Sequence, residues 1–359
     1  ILDGDNIRIR LSQPTTVTFY YDHFSHWVAD DVNHLIVTAP GSFNSELGCT
    51  GEVEGDWNPA CLNIWMQDSD QDGVYTFATR SIPAGDYEVK VAIGLSWDWN
   101  YGANGEPAGA NIPFTVPNNN MLVGFTYDSN TNFINVYIDN QVVNRNVSSS
   151  ASPTVAVSTN TASISSIMNR ATVRPRNNFA QPNSVVVIGD MQRALGCNTN
   201  WSANGTCTRL EFIAGANIWR GTFTIPAGNY EYKIALNGDS DENYGDSATL
   251  NSDNITLRLS QPTTVTFYYD HFTHWVADDV NQLIVIAPGS FNSELGCTQD
   301  QLSEGGDWEP GCLNVWMQDP DQDGVYTYAT MALPIGDYEM KVTIGLSWDI
   351  NYGANGEGG

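Results

Sequence analysis

Positive charge is scarce in this chain: 14 Lys and Arg stand against 41 Asp and Glu in 359 residues, a formal charge of −27. Such a surface repels phosphate backbones and anionic lipid headgroups, so neither a nucleic-acid nor a membrane-surface partner is expected. Long apolar runs are missing too, none approaching the roughly 18 residues of a spanning helix. No charged leader precedes an apolar segment, and the chain opens on Ile1 rather than Met, so a processed or excised protein is expected. Helical periodicity is absent, as are G-x-S-x-G, a phosphate loop and a dinucleotide fingerprint. Acidic pairs are too many for a glycosidase couple to stand out, and the alternating β/α pattern of a barrel is lacking. Neither catalysis nor a cofactor is therefore expected.

What the chain does have is repetition. Residues 6–49 and 254–297 differ at five positions only: Arg8/Thr256, Ile9/Leu257, Ser25/Thr273, His34/Gln282 and Thr38/Ile286. A more diverged copy lies between them, so one fold is expected three times. Each unit opens with an apolar strand (LIVTAPGSF at 35–43, SVVVIGDMQ at 184–192, LIVIAPGSF at 283–291), followed by a cysteine loop, a hairpin and an alternating strand. Two tail strands follow, with Ile112, Phe114, Val116 and then Val123, Phe125, Tyr127 in the first copy, and Ile255, Leu257, Leu259 and then Val265, Phe267, Tyr269 in the second. Period-two alternation punctuated by Gly, Pro and Asn predicts an all-β protein of tandem antiparallel sandwiches. The cysteines fall as Cys49/Cys61, Cys197/Cys207 and Cys297/Cys312, each pair flanking the same Gly/Asn/Asp-rich loop. Local disulfides and a secreted protein are the natural reading, because no C-x2-C spacing or neighbouring His supplies a zinc site.

The repeats do not fill the chain evenly. Residues 34–140 and 183–281 make complete modules, residues 282–359 a head without its tail strands, and residues 1–33 a tail without its head. The two fragments hold 78 and 33 residues, 111 together, against 107 and 99 for the complete modules. A head lacking its tail exposes unpaired backbone groups beside an apolar groove, a template for a strand. The donor face is Ile7, Ile9, Leu11, Val17, Phe19 and Tyr21; the acceptor is Leu283, Val285, Tyr338, Met340, Val342 and Ile344. Three fates stand: donation to an identical subunit, giving a head-to-tail, pilus-like filament; closure within one chain; or an arbitrary cut through a longer array.

Between the complete modules, residues 141–182 carry no Asp or Glu but do carry Arg145, Arg170, Arg174 and Arg176. The composition is that of a Ser/Thr/Asn linker, expected to lie as a basic strap on an acidic module, with TVAVS at 154–158 able to add a strand.

The motifs GSFNSELGC, DWNPAC, LPIGDYEMKV, DENYG and VTFYYDHFTHW resemble the accessory β-sandwich modules that precede the catalytic domain of secreted bacterial pullulanases and amylopullulanases. The resemblance covers the modules and both fragments but not the linker. It implies α-glucan binding. The middle copy departs from it: NGDSDENYG at 237–245 lacks the Trp of LSWDWNYG at 95–102 and LSWDINYG at 346–353, and MQRALGC replaces FNSELGC.

Sugar-binding surfaces need flat rings for pyranose C–H faces and polar groups for hydroxyls. Candidates are Trp97, Trp99 and Tyr101, Trp348 and Tyr352, and Trp57 and Trp308 in the cysteine loops. The same rings serve equally as core anchors or subunit contacts. Asp68, Asp70 and Asp72, and again Asp319, Asp321 and Asp323, follow a D-x-D-x-D-G pattern fit for calcium. The twelfth position from Asp68 is Thr79 rather than Glu, and Asp-Gly is also a hairpin turn signal. His23 and His26, repeated as His271 and His274, lack a third metal ligand and are expected to be structural. Sequons at Asn146, Asn200, Asn204 and Asn254 matter only in a glycosylating host. From sequence alone the leading expectation is an extracellular filament subunit, with α-glucan-binding modules of a secreted amylolytic enzyme as the alternative.

Overall fold

The computed structural model describes residues 5–49, 55–139, 141–144, 180–299, 304–330, 332–356 and 358. Among these the chain is strands and turns, its helices being 3-10 turns of three residues. The expected linker with Arg145, Arg170, Arg174, Arg176 and the 154–158 strand lies outside the described residues, as does Asn146. Its first residues are described, however, and Gln141–Asn144 form a strand rather than linker.

The chain divides into two compact units, one of residues 29–170 and one of residues 1–28 with 171–359. In the first, Ile112–Val116 pairs with Gly85–Val89, and Val123–Asp128 lies between Val74–Thr79 and Phe133–Ile138. Alternation does what period two requires: Ile112, Phe114 and Val116 are buried, while Pro113 and Thr115 are exposed. Gln141–Asn144 adds an edge strand beyond Phe133–Ile138.

The opening strands are shorter than expected: Val37–Thr38 and Val285–Ile286 replace the anticipated 35–43 and 283–291. Pro40 and Pro288 lack the donor that a ladder needs. Beyond them, a Cβ on Gly41 or Gly289 would come within 2.4 or 2.6 Å of the Glu88 or Glu339 carbonyl oxygen. Only glycine tolerates so close a backbone approach.

In the second unit the tail lies against a head of the same chain. Ile7–Leu11 pairs with Gly336–Met340 and Thr18–Asp22 with Val325–Ala329 of the same chain. The register repeats that of the contiguous modules: Ile7 faces Met340 and Leu11 faces Gly336, as Ile112 faces Val89 and Val116 faces Gly85, and as Ile255 faces Tyr232 and Leu259 faces Gly228. Phe19 stacks on Phe291 at 5.4 Å between centroids, reproducing the 5.2 Å stack of Phe125 on Phe43. Ile7, Ile9, Leu11, Val17, Phe19 and Tyr21 join one core with Val285, Tyr338, Met340 and Val342, with Leu283 and Ile344 packed at its margin. These side chains therefore meet within one chain, and the head-to-tail filament finds no support: the groove is filled by the tail of the same chain. The same core takes in Ile218, Tyr268, Trp275 and Ala277 of the middle module, and Tyr268 meets Trp316 edge-on.

Candidate functional site

Each cysteine loop is closed by its local disulfide: Cys49 to Cys61, Cys197 to Cys207, Cys297 to Cys312. Each loop holds one tryptophan in the left-handed region, Trp57 at φ 68°, Trp201 at φ 57° and Trp308 at φ 61°. A bulky residue there costs about 1 kcal/mol or more, whereas Gly or Asn would avoid most of that cost. The backbone is locked by the same bonds each time. Trp57, Trp201 and Trp308 donate their amides to the carbonyls of Gly41, Gly189 and Gly289 at 2.9, 3.2 and 2.9 Å. The preceding side chain ties the loop down: Asp56 accepts from the Ser45 amide, Asn200 from that of Arg193 and Asp307 from that of Ser293.

In the first and third modules a second tryptophan completes a pair. Trp57 and Trp97 have ring centroids 6.5 Å apart and planes inclined at 41°; Trp308 and Trp348 repeat this at 6.4 Å and 40°. Trp97 and Trp348 are 39% and 40% exposed, their partners half-buried. Ser96 and Ser347 shape the turn by accepting the amides of Asp98 and Asp349, and Asn100 and Asn351 donate side-chain amides to the Trp97 and Trp348 carbonyls at 2.8 and 3.0 Å. Trp99, 58% exposed, stands where the third module has Ile350. The middle module keeps Trp201, 39% exposed, but has Ser240 where Trp97 and Trp348 stand. Trp201 escaped the sequence reading because it lies six residues before its cysteine, against four for Trp57 and Trp308.

Tyr101 and Tyr352 do not join these pairs. Tyr352 stacks on His26 at 4.1 Å and 10°, Tyr244 on His274 at 4.0 Å and 2°, and Tyr101 lies against Tyr127. His26 and His274 are in turn hydrogen-bonded to the Tyr21 and Tyr269 hydroxyls, where the first module has Asn132 accepting from Tyr127. Burial lowers the pKa of His274, and burial followed by the neighbouring imidazole lowers those of His23 and His271.

The aspartates of each hairpin do converge. Asp68, Asp70 and Asp72, and likewise Asp319, Asp321 and Asp323, can bring one oxygen each within 4.8 Å of the others. Asp68 spends both oxygens on the amides of Asp72 and Gly73, as Asp319 does on those of Asp323 and Gly324. Burial, then the Asp323 and Asp321 carboxylates, pushes Asp319 up to about 7. Thr79 ends the strand Val74–Thr79 and supplies no carboxylate.

The model of the pullulanase X25 domain matches the chain three times, over residues 36–134, 184–276 and 284–358. An amylopullulanase of Thermoanaerobacterium saccharolyticum is 35% identical over 187 residues, 50% of this chain and 14% of that protein. That of Thermoanaerobacterium thermosulfurigenes is 35% identical over 174 residues, 47% of this chain and 9% of that protein. Both relatives are far longer than the segment they share with this chain. A solved pullulanase from Bacillus acidopullulyticus aligns with 97% of this chain and 33% of its own at 12% identity, with a TM-score of 0.26.

Proposed function

Because the chain belongs to the pullulanase X25 domain family, we propose that it is a non-catalytic part of a secreted starch-degrading protein and that it holds α-glucan on its tryptophan pairs. The observation that carries the proposal is the tilted pair itself, built twice with the same separation and inclination. Two rings inclined by 41° or 40° offer successive sugars of a coiling chain a face each, which a flat ribbon of sugars cannot use. Burial of a sugar face on indole supplies the affinity, and the neighbouring Asp98 and Asp349 side chains are placed for hydroxyls. The two amylopullulanases bring the substrate class, and the buried local disulfides favour an extracellular setting.

Native electrophoresis through gels containing amylopectin tests this. The expected result is retarded migration, reduced by Trp97→Ala or Trp348→Ala and abolished by both together. Unchanged migration of the unsubstituted protein with and without amylopectin would sink the proposal.

A further inference from the structure

Behind each tryptophan pair lies a lysine that a β-strand core does not need. The Lys90 ammonium donates to Asn100 Oδ1 at 3.0 Å, and Lys341 to Asn351 Oδ1 at 3.4 Å. Those asparagines hold the Trp97 and Trp348 carbonyls through their side-chain amides. Lys341 is 6% exposed, and burial lowers the Lys90 pKa. A methionine would fill such space at less desolvation cost, so the ammonium is kept for what it holds.

The backbone brings both halves of a platform to one dipeptide. Lys90 donates its amide to the Pro40 carbonyl while Trp57 donates to that of Gly41; Lys341 and Trp308 do the same at Pro288 and Gly289. One lysine thus ties the second tryptophan to the segment that anchors the first.

The middle module is an internal control. Lys233 occupies the corresponding place in its strand Gly228–Leu236, and Asn243 donates to Ser240 O at 2.9 Å, as Asn100 does to Trp97 O. No tryptophan stands there, and the buried Asn243 Oδ1 has no hydrogen-bond partner. The lysine-to-asparagine bond occurs in the two copies that carry the pair and is missing in the copy that does not.

We propose that Lys90 and Lys341 are positioning residues for the two platforms, acting through Asn100 and Asn351 on the backbone of Trp97 and Trp348. Their role in binding rests on the glucan reading; their role in fixing the rings does not.

The test uses the whole chain labelled with 5-fluorotryptophan, resonances being assigned with Trp57→Phe, Trp97→Phe, Trp308→Phe and Trp348→Phe. Lys90→Met is expected to shift and broaden the Trp57 and Trp97 signals alone, and Lys341→Met those of Trp308 and Trp348, with amylopectin affinity at the altered platform falling about tenfold. Lys233→Met leaves all four signals in place. Asn100→Asp, which keeps an acceptor for Lys90 but loses the donor to the Trp97 carbonyl, moves the Trp97 signal in a folded protein. Signals that stay put in Lys90→Met and Lys341→Met, or that move equally in Lys233→Met, would overturn the proposal. If the signals move as expected while unsubstituted protein ignores amylopectin, the glucan reading falls and the positioning role stands.

Discussion

Residues 6–33 and 254–281 are nearly one text, differing only at Arg8/Thr256, Ile9/Leu257 and Ser25/Thr273, yet they reach their places by different routes. The later copy continues directly from the head it completes, Ile255–Leu259 returning to pair with Gly228–Leu236. The earlier copy completes a head near the other end of the chain, Ile7–Leu11 pairing with Gly336–Met340. The shared register shows that the groove selects its strand by alternating apolar side chains and backbone pairing, not by chain order. Connectivity decides only which copy arrives.

The sharpest way to break the comparison is through the buried rings. Phe19 and Phe267 are both fully buried, so Phe19→Ala and Phe267→Ala are each expected to cost about 3–5 kcal/mol. Segment-resolved hydrogen exchange reads where: around Val325–Ala329 for Phe19→Ala and around Ile218–Ile225 for Phe267→Ala. A cost below about 1 kcal/mol at Phe19 alone would mean that its tail does not occupy the groove in solution.

A smaller effect comes from one of the five differences, His34 against Gln282. Asp30 is buried, which alone would raise its pKa, but hydrogen bonds from His34 and from the Asn33 backbone and side chain bring it below the ordinary value. Asp278, whose partners include the Tyr232 hydroxyl and the Val280 and Asn281 amides, is raised, burial being the largest cause. The two therefore act on stability with opposite sign. Asp30 contributes fully above the unfolded value of about 3.9, and the contribution drains away as pH falls below it. Asp278 favours folding on the acid side and loses that contribution as pH rises from about 3.9 through its raised folded value. Carboxyl carbon resonances should titrate below that reference for Asp30 and above it for Asp278, and His34→Gln should move Asp30 upward. Coincident titrations in the unsubstituted protein would refute the assignment.

The smallest expected effect lies on the surface. Arg10 bridges Asp337 at 2.8 Å and Arg8 reaches Glu339 at 3.4 Å, both arginines being more than 80% exposed, whereas Arg258 faces neutral Asn229. Arg10→Asn should cost a few tenths of a kcal/mol in thermal melts at low salt and nothing measurable at 1 M salt. A loss above about 1 kcal/mol would mean that the pair holds the tail more firmly than its exposure allows.

Much of this fold was legible because period two is a strong signal: the tail strands, their buried faces and the complementary fragments follow from alternation and self-alignment. The partner of the tail was not legible, since identical side chains satisfy a groove in the same chain or in another. Trp57 and Trp308 were visible as ring types, but their left-handed backbone and pairing with Trp97 and Trp348 exist only in three dimensions. Trp201 was hidden by two residues inserted before its cysteine, although the polar Asn200 ahead of it matches Asp56 and Asp307. Tyr101 and Tyr352 lie apart from the pairs because a ring distant in sequence or from a turn, Tyr127 in one case and His26 in the other, packs against each, which the sequence does not display.

In the third module the Ala354 amide donates to the Asp5 carbonyl at 2.8 Å, the bond that joins Ala103 to Ala110 within a short loop of the first. There the two strands meet as tethered reactants rather than as neighbours. A tether of suitable span presents its end at an effective concentration on the order of millimolar. A free copy of the tail at about 1 μM is then outcompeted roughly a thousandfold, worth about 4 kcal/mol. Exchange between molecules becomes a matter of crowding, and dilution alone keeps each groove for its own tail.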